Sequence, residues 1–139
     1  MRGGERGSAV VETAFLGALL FGIVVQVLVV FGQVQRAALA TASASRDVGR
    51  VVQASSTDPE AAMRARAAVV AAARDHGLDA DALATRVVGV RGRGALLRVE
   101  VSTSVPLIDV PLLRPFLGRA TIPVSAAHTV RLDRYASAP

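Results

Sequence analysis

Gly7-Ser8-Ala9-Val10-Val11-Glu12-Thr13-Ala14-Phe15-Leu16-Gly17-Ala18-Leu19-Leu20-Phe21-Gly22-Ile23-Val24-Val25 opens the longest apolar stretch of the chain. The stretch continues to Val34, broken only by Glu12, Thr13, Gln26 and Gln33, and from Ala14 to Val25 it is unbroken. About 20 apolar residues in a helix span a hydrocarbon core of roughly 30 Å. Residues 8–35 therefore read as one transmembrane helix, preceded by a basic leader at 1–7 and followed by an extracytoplasmic part at 36–139. A buried soluble helix would be shorter and carry a polar stripe, and a helix lying on a membrane surface would have a charged face. A cleaved secretory signal is the remaining rival, because Ala38-Leu39-Ala40 has the A-x-A form. Its apolar core, however, is normally about 7–15 residues, and here Gln33, Gln35 and Arg36 precede the site.

Orientation follows from the basic residues near the helix ends. Arg2 and Arg6 precede the span, whereas Arg36, Arg46 and Arg50 follow it. The short basic tail favours a cytoplasmic N-terminus, with the C-terminal part outside a bacterial inner membrane.

The 139 residues suffice for an anchor and one modest domain. The chain is 52% hydrophobic, and its mean hydropathy of +0.45 is dominated by the anchor. It has no cysteine, so disulfides, thiolate metal sites and cysteine nucleophiles are all excluded. It has no lysine either, so its sixteen basic residues are arginines and a Schiff-base lysine is excluded. The abundance of Ala, Val and Arg fits a GC-rich bacterial coding sequence. The net charge of +5 does not indicate a nucleic-acid partner, because the arginines are scattered and only four Phe and one Tyr could stack bases.

Helical periodicity continues beyond the anchor. Val34, Ala37, Ala38, Thr41, Ala44, Val48, Val51 and Val52 keep a three-to-four spacing, which predicts an amphipathic stalk to about Gln53. Ala54-Ser55-Ser56-Thr57 breaks it. A second helix is predicted from Asp58 as N-cap and Pro59 as first helical residue, ending near His76 before Gly77. Met63, Ala67, Val70 and Ala73 form its expected apolar stripe. The period then changes. Arg86 to Val90, a turn at Arg91-Gly92-Arg93-Gly94 and the alternating Leu96 to Ser104 predict a hairpin. Pro106, Pro111 and Pro115 mark an irregular connection to a further strand at Ile122 to Leu132. The expected class is α+β: a long transmembrane and stalk helix, a second helix and a small antiparallel sheet.

No catalytic, cofactor-binding or metal constellation emerges. His76 and His128 are the only histidines and stand far apart in sequence. Asp75, Asp79 and Asp81 surround Gly77 without the spacing of a calcium loop. No phosphate loop, nucleophile elbow or zinc pattern is present. An enzyme is not expected.

One pattern is more specific. Gly7, four residues and then Glu12 at the head of an apolar helix, with basic residues before the glycine, resembles the processing site of type IV prepilins. Ala44-Ser45-Arg46-Asp47-Val48-Gly49-Arg50 is similar to the segment that follows the anchor in TadE-like proteins. The Val99-Glu100-Val101 strand, the Pro-rich loop with Gly118 and the Ile122 to Ala127 strand resemble the C-terminal half of that family. The resemblance covers nearly the whole chain and is strongest over residues 7 to 52. Two positions depart from the type IV pilin pattern: Ser8 stands where Phe is common, and Thr13 follows Glu12 where an aromatic often sits. The resemblance implies a minor pilin or pseudopilin of a tight-adherence (Flp) pilus or secretion machinery. It also implies cleavage between Gly7 and Ser8 by a prepilin peptidase, with other pilin-like subunits and pilus assembly proteins as partners. The alternative class is a signal-anchored binding module for an extracytoplasmic partner.

The helix carries features suited to assembly. Ala14, Ala18 and Gly22 recur every four residues, and small residues so spaced let helices approach closely in lipid. Glu12 and Gln26 are fourteen residues apart and fall on nearly the same side. A carboxylate near the bilayer centre costs about 2.5–3.5 kcal/mol, and less towards the interface, so Glu12 calls for a partner. The α-amino group of a processed Ser8 on a neighbouring subunit could supply it, a pairing that the pilin resemblance also implies. Gln26 is expected to hydrogen-bond across helices.

Overall fold

The computed structural model describes residues 4–90, 92, 94–107 and 120–132, with the side chains of 4–8 left aside. The predicted turn at Arg91–Gly94 is thus described only in part, and the connection carrying Pro111, Pro115 and Gly118 lies outside the described residues.

The architecture is α+β. Helix α1 runs unbroken over Gly4–Ala54, α2 over Asp58–Asp75, and a single 3-10 turn over Ala80–Ala82 leads into strands β1 (Ala84–Val88), β2 (Leu96–Pro106) and β3 (Thr121–Arg131). The sheet is antiparallel throughout, in the order β1-β2-β3. At 1.5 Å per residue, the 51 residues of α1 extend about 76 Å, far beyond the domain packed on it.

The helices form a hairpin. Ser55 and Ser56 interrupt the helical run, and Thr57 caps α2 in an extended conformation, its hydroxyl accepting from the Glu60 backbone N–H at 3.4 Å. The Glu60 carboxylate reaches back to accept from Ser56 N–H at 3.1 Å. Expected as the cap, Asp58 is instead the first helical residue, where its charge still favours the N-terminal dipole. Both residues can cap; the extended backbone at Thr57 decides between them. At the other end Gly77 adopts φ +66°, and Leu78 N–H donates to Ala73 C=O at 2.8 Å, closing the helix as its glycine predicted.

The sheet lies along α1. Gly49 of α1 faces Val130 and His128 of β3, while Gln26 meets Leu107 just beyond β2. Val130 pairs with Leu97. From Leu97 to Leu107 a strand rises about 33 Å, and from Gly49 back to Gln26 the helix covers about 34 Å. The equal lengths place β2 antiparallel to the helix axis and β3 parallel to it. Strand β2 turns Leu97, Val99, Val101 and Val105 inward, fully or almost fully buried, and alternates them with Arg98, Ser102 and Ser104 outside.

Burial on α1 is wider than the single stripe expected. Ala37, Ala40, Thr41, Ala44, Ser45, Val48, Gly49 and Val52 are buried, because the sheet covers one side and α2 the other. Ala38 is exposed, whereas Val34 and Val51 are half-buried. The Thr41 hydroxyl donates to Ala37 C=O at 2.9 Å and the Ser45 hydroxyl to Ala42 C=O at 3.0 Å, so these buried hydroxyls are satisfied by their own helix.

The expected stripe on α2 is corrected. Of its four residues only Ala73 is buried; Met63 and Val70 are 70% and 43% exposed. The packed side is Ala61, Ala65, Ala68, Val69, Ala72 and Ala73, where small side chains let α2 approach α1. Strand β1 starts two residues earlier than expected, because its extent is set by pairing Ala84 with Ser102 and Val88 with Arg98.

Candidate assembly and membrane interface

The first half of α1 projects beyond the domain. Its most apolar 18-residue window has a mean hydropathy of 2.7, and none of that window is buried within the protein. The core helix of a soluble protein passes the same hydropathy test but is mostly buried. Here Val10, Val11, Phe15, Leu16, Leu19 and Leu20 are all exposed. One helix is thus long and apolar enough to cross a membrane, and nothing in the described chain covers it.

Ala14, Ala18 and Gly22 sit on this bare segment, all exposed. A Cβ built on Gly22 or on Gly17 would meet nothing within 4 Å. Small side chains are therefore not needed there for packing against the described residues. Glu12 is exposed, and among the described residues no ion pair or hydrogen bond engages its carboxylate. The neighbouring Thr13 hydroxyl donates to Ala9 C=O at 2.8 Å. Gly7 and Ser8 lie within the helical backbone of α1, near its start.

Gln26 differs from expectation. Its side-chain amide donates to the backbone carbonyl of Leu107 at 3.2 Å, so it has a partner within its own chain. The structure therefore groups Ala14, Ala18 and Gly22 on an unoccupied helix and holds Gln26 against the sheet. Hydropathy reads Gln26 only as an interruption of the anchor, and no local signal ties it to a carbonyl 81 residues away.

Elsewhere the described residues offer little chemistry. No group of three His, Asp or Glu side chains among them is placed to hold a metal. The Asp79 carboxylate accepts from Asp81 N–H at 3.1 Å and caps the short 3-10 turn. His128 is half-buried against Gly49. A shallow apolar groove runs between α2 and β1, lined by Ala65, Val69, Val70, Leu83 and Val87 with Arg66 among its residues.

The chain matches no protein-family model, no curated protein and no solved structure.

Proposed function

We propose that the chain is a membrane-anchored structural subunit, a TadE-like minor pilin or pseudopilin serving a tight-adherence pilus assembly or secretion system. The observation that carries this reading is the bare apolar half of α1. Headed by Gly7 and Glu12, it bears small residues at four-residue spacing that no other part of the described chain packs against. In lipid, where water exclusion does not drive helix association, close backbone packing and polar pairing do. Glu12 then meets the α-amino group of a processed Ser8 on a neighbouring subunit. The domain carried by α1 lies outside the bacterial inner membrane and the N-terminus lies in the cytoplasm. A prepilin peptidase would act on Gly7-Ser8 once the helix end unwinds, as helix ends readily do. The role is not enzymatic.

A second reading is an anchored binding module. It is favoured by the groove between α2 and β1 and by the exposed Met63 and Val70 beside it.

The test is made in a strain that produces the whole machinery. The mature chain should begin at Ser8 by mass spectrometry, and Glu12→Gln should be processed and inserted yet fail to co-purify with pilus subunits. A mature chain that keeps Met1, or a Glu12→Gln variant that assembles like its parent, favours the binding module.

A further inference from the structure

We infer that the protein touches the bilayer twice: through α1, and through the end of its sheet at Leu107 and Ala120, which sits in the interface of the outer leaflet. The inference rests on the membrane-anchor reading of α1 and extends it.

The depth follows from the helix. Apart from Leu39, the large exposed apolar side chains of α1 lie between Val10 and Phe31, which is 60% exposed. From Ala9 to Phe31 the helix rises about 33 Å, close to the roughly 30 Å of a hydrocarbon core. Gln26 lies one to two turns before Phe31, about 7.5 Å deeper. Its hydrogen bond to Leu107 holds the sheet end at that level. Interfacial segments bury their apolar side about 5–10 Å into the headgroup and acyl boundary, the same depth.

The sheet is built to match. Its charged residues stand at the far end: Arg86 on β1, Arg98 and Glu100 on β2 and Arg131 on β3. From Val101 to Leu107 and from Ala120 to Ala127 there is no charged residue. Strand β1 reaches only Ser102 in the pairing, so the near end is a two-stranded, uncharged projection. At its tip Leu107 N–H donates to Ala120 C=O at 3.0 Å, and Gln26 occupies the Leu107 carbonyl. Backbone groups that reach the hydrocarbon need such partners, because no water is there to supply them. Leu107 itself is 36% exposed.

The chain has no cysteine, so single labels can be placed without background. The full chain carrying Leu107→Cys, Ala120→Cys, Leu96→Cys or Leu19→Cys, each bearing an environment-sensitive fluorophore, is reconstituted in phosphatidylcholine–phosphatidylglycerol vesicles. The lipids are brominated near the top of the acyl chains or, in parallel vesicles, near the bilayer centre. All four sites are exposed, so the label displaces no core residue. Labels at Leu107 and Ala120 should be quenched by the shallow bromines, the Leu19 label by bromine within the core, and the Leu96 label, at the far end of β2, by neither. If Leu19 is quenched while Leu107 and Ala120 behave like Leu96, the second contact does not exist and the anchor stands. If Leu19 is not quenched, the anchor reading itself fails and the inference falls with it.

Discussion

Helix α1 is one continuous element with two unlike halves. Over Ala9–Val25 it carries Val, Leu, Ile and Phe and packs against no other part of the described chain. Over Ala37–Val52 it carries Ala, Ser, Thr, Gly and Val and buries eight residues between the sheet and α2. Large side chains stand where the described chain supplies no neighbour, and small ones where it supplies two. Small residues in the second half serve close packing within the chain. The same kind of residue in the first half, at Ala14, Ala18 and Gly22, has no such use among the described residues, and this asymmetry motivates the proposal of a neighbour outside the chain.

Paired substitutions sharpen the contrast. The largest difference is expected for leucine truncation. Leu97 is buried between the sheet and the helices, so Leu97→Ala should cost the domain about 2–5 kcal/mol. Leu19 is exposed, and Leu19→Ala should stay within about 0.5 kcal/mol. Urea unfolding of the detergent-solubilised chain, followed by circular dichroism, measures both; equal losses would mean that the bare half packs on the domain. A smaller effect is expected for the glycines. A Cβ on Gly49 would lie 2.8 Å from Val130 Cγ1 and 2.9 Å from His128 Cδ2, so Gly49→Leu should destabilise the domain by about 1–3 kcal/mol through overpacking. Gly22→Leu adds its Cβ where nothing lies within 4 Å. It should unfold like the parent and lose only its association with other subunits, as co-purification from membranes would reveal.

Much of this contrast is legible in sequence. Hydropathy alone marks the bare half, and the three-to-four spacing from Val34 to Val52 carries the helix past the apolar stretch. Gly77 and the alternation of Leu96 to Ser104 locate the end of α2 and strand β2. What escapes has physical causes. Helix α2 is so rich in alanine that its buried and exposed sides differ little in hydropathy, so Met63 and Val70 draw attention to the wrong face. Ala40, Ser45 and Gly49 are buried because two elements flank α1, which no one-dimensional period encodes. The Gln26–Leu107 contact depends on β2 running the length of the helix, a tertiary fact. Among the candidate assembly residues, Ala14, Ala18 and Gly22 are exposed on the first half of α1, whereas Gln26 has a partner within the chain.

In the assembled machinery one side of the bare helix should face another subunit. Val11, Ala14, Ala18 and Gly22 share that side by their spacing. Leu20 lies nine positions from Val11, about 180° around the helix. A photo-reactive leucine analogue placed at Val11 or at Leu20, in cells that make the complete machinery, reads the difference directly. The account predicts protein crosslinks from Val11 and only lipid adducts from Leu20. Lipid adducts alone from both positions would contradict it and leave α1 as no more than an anchor.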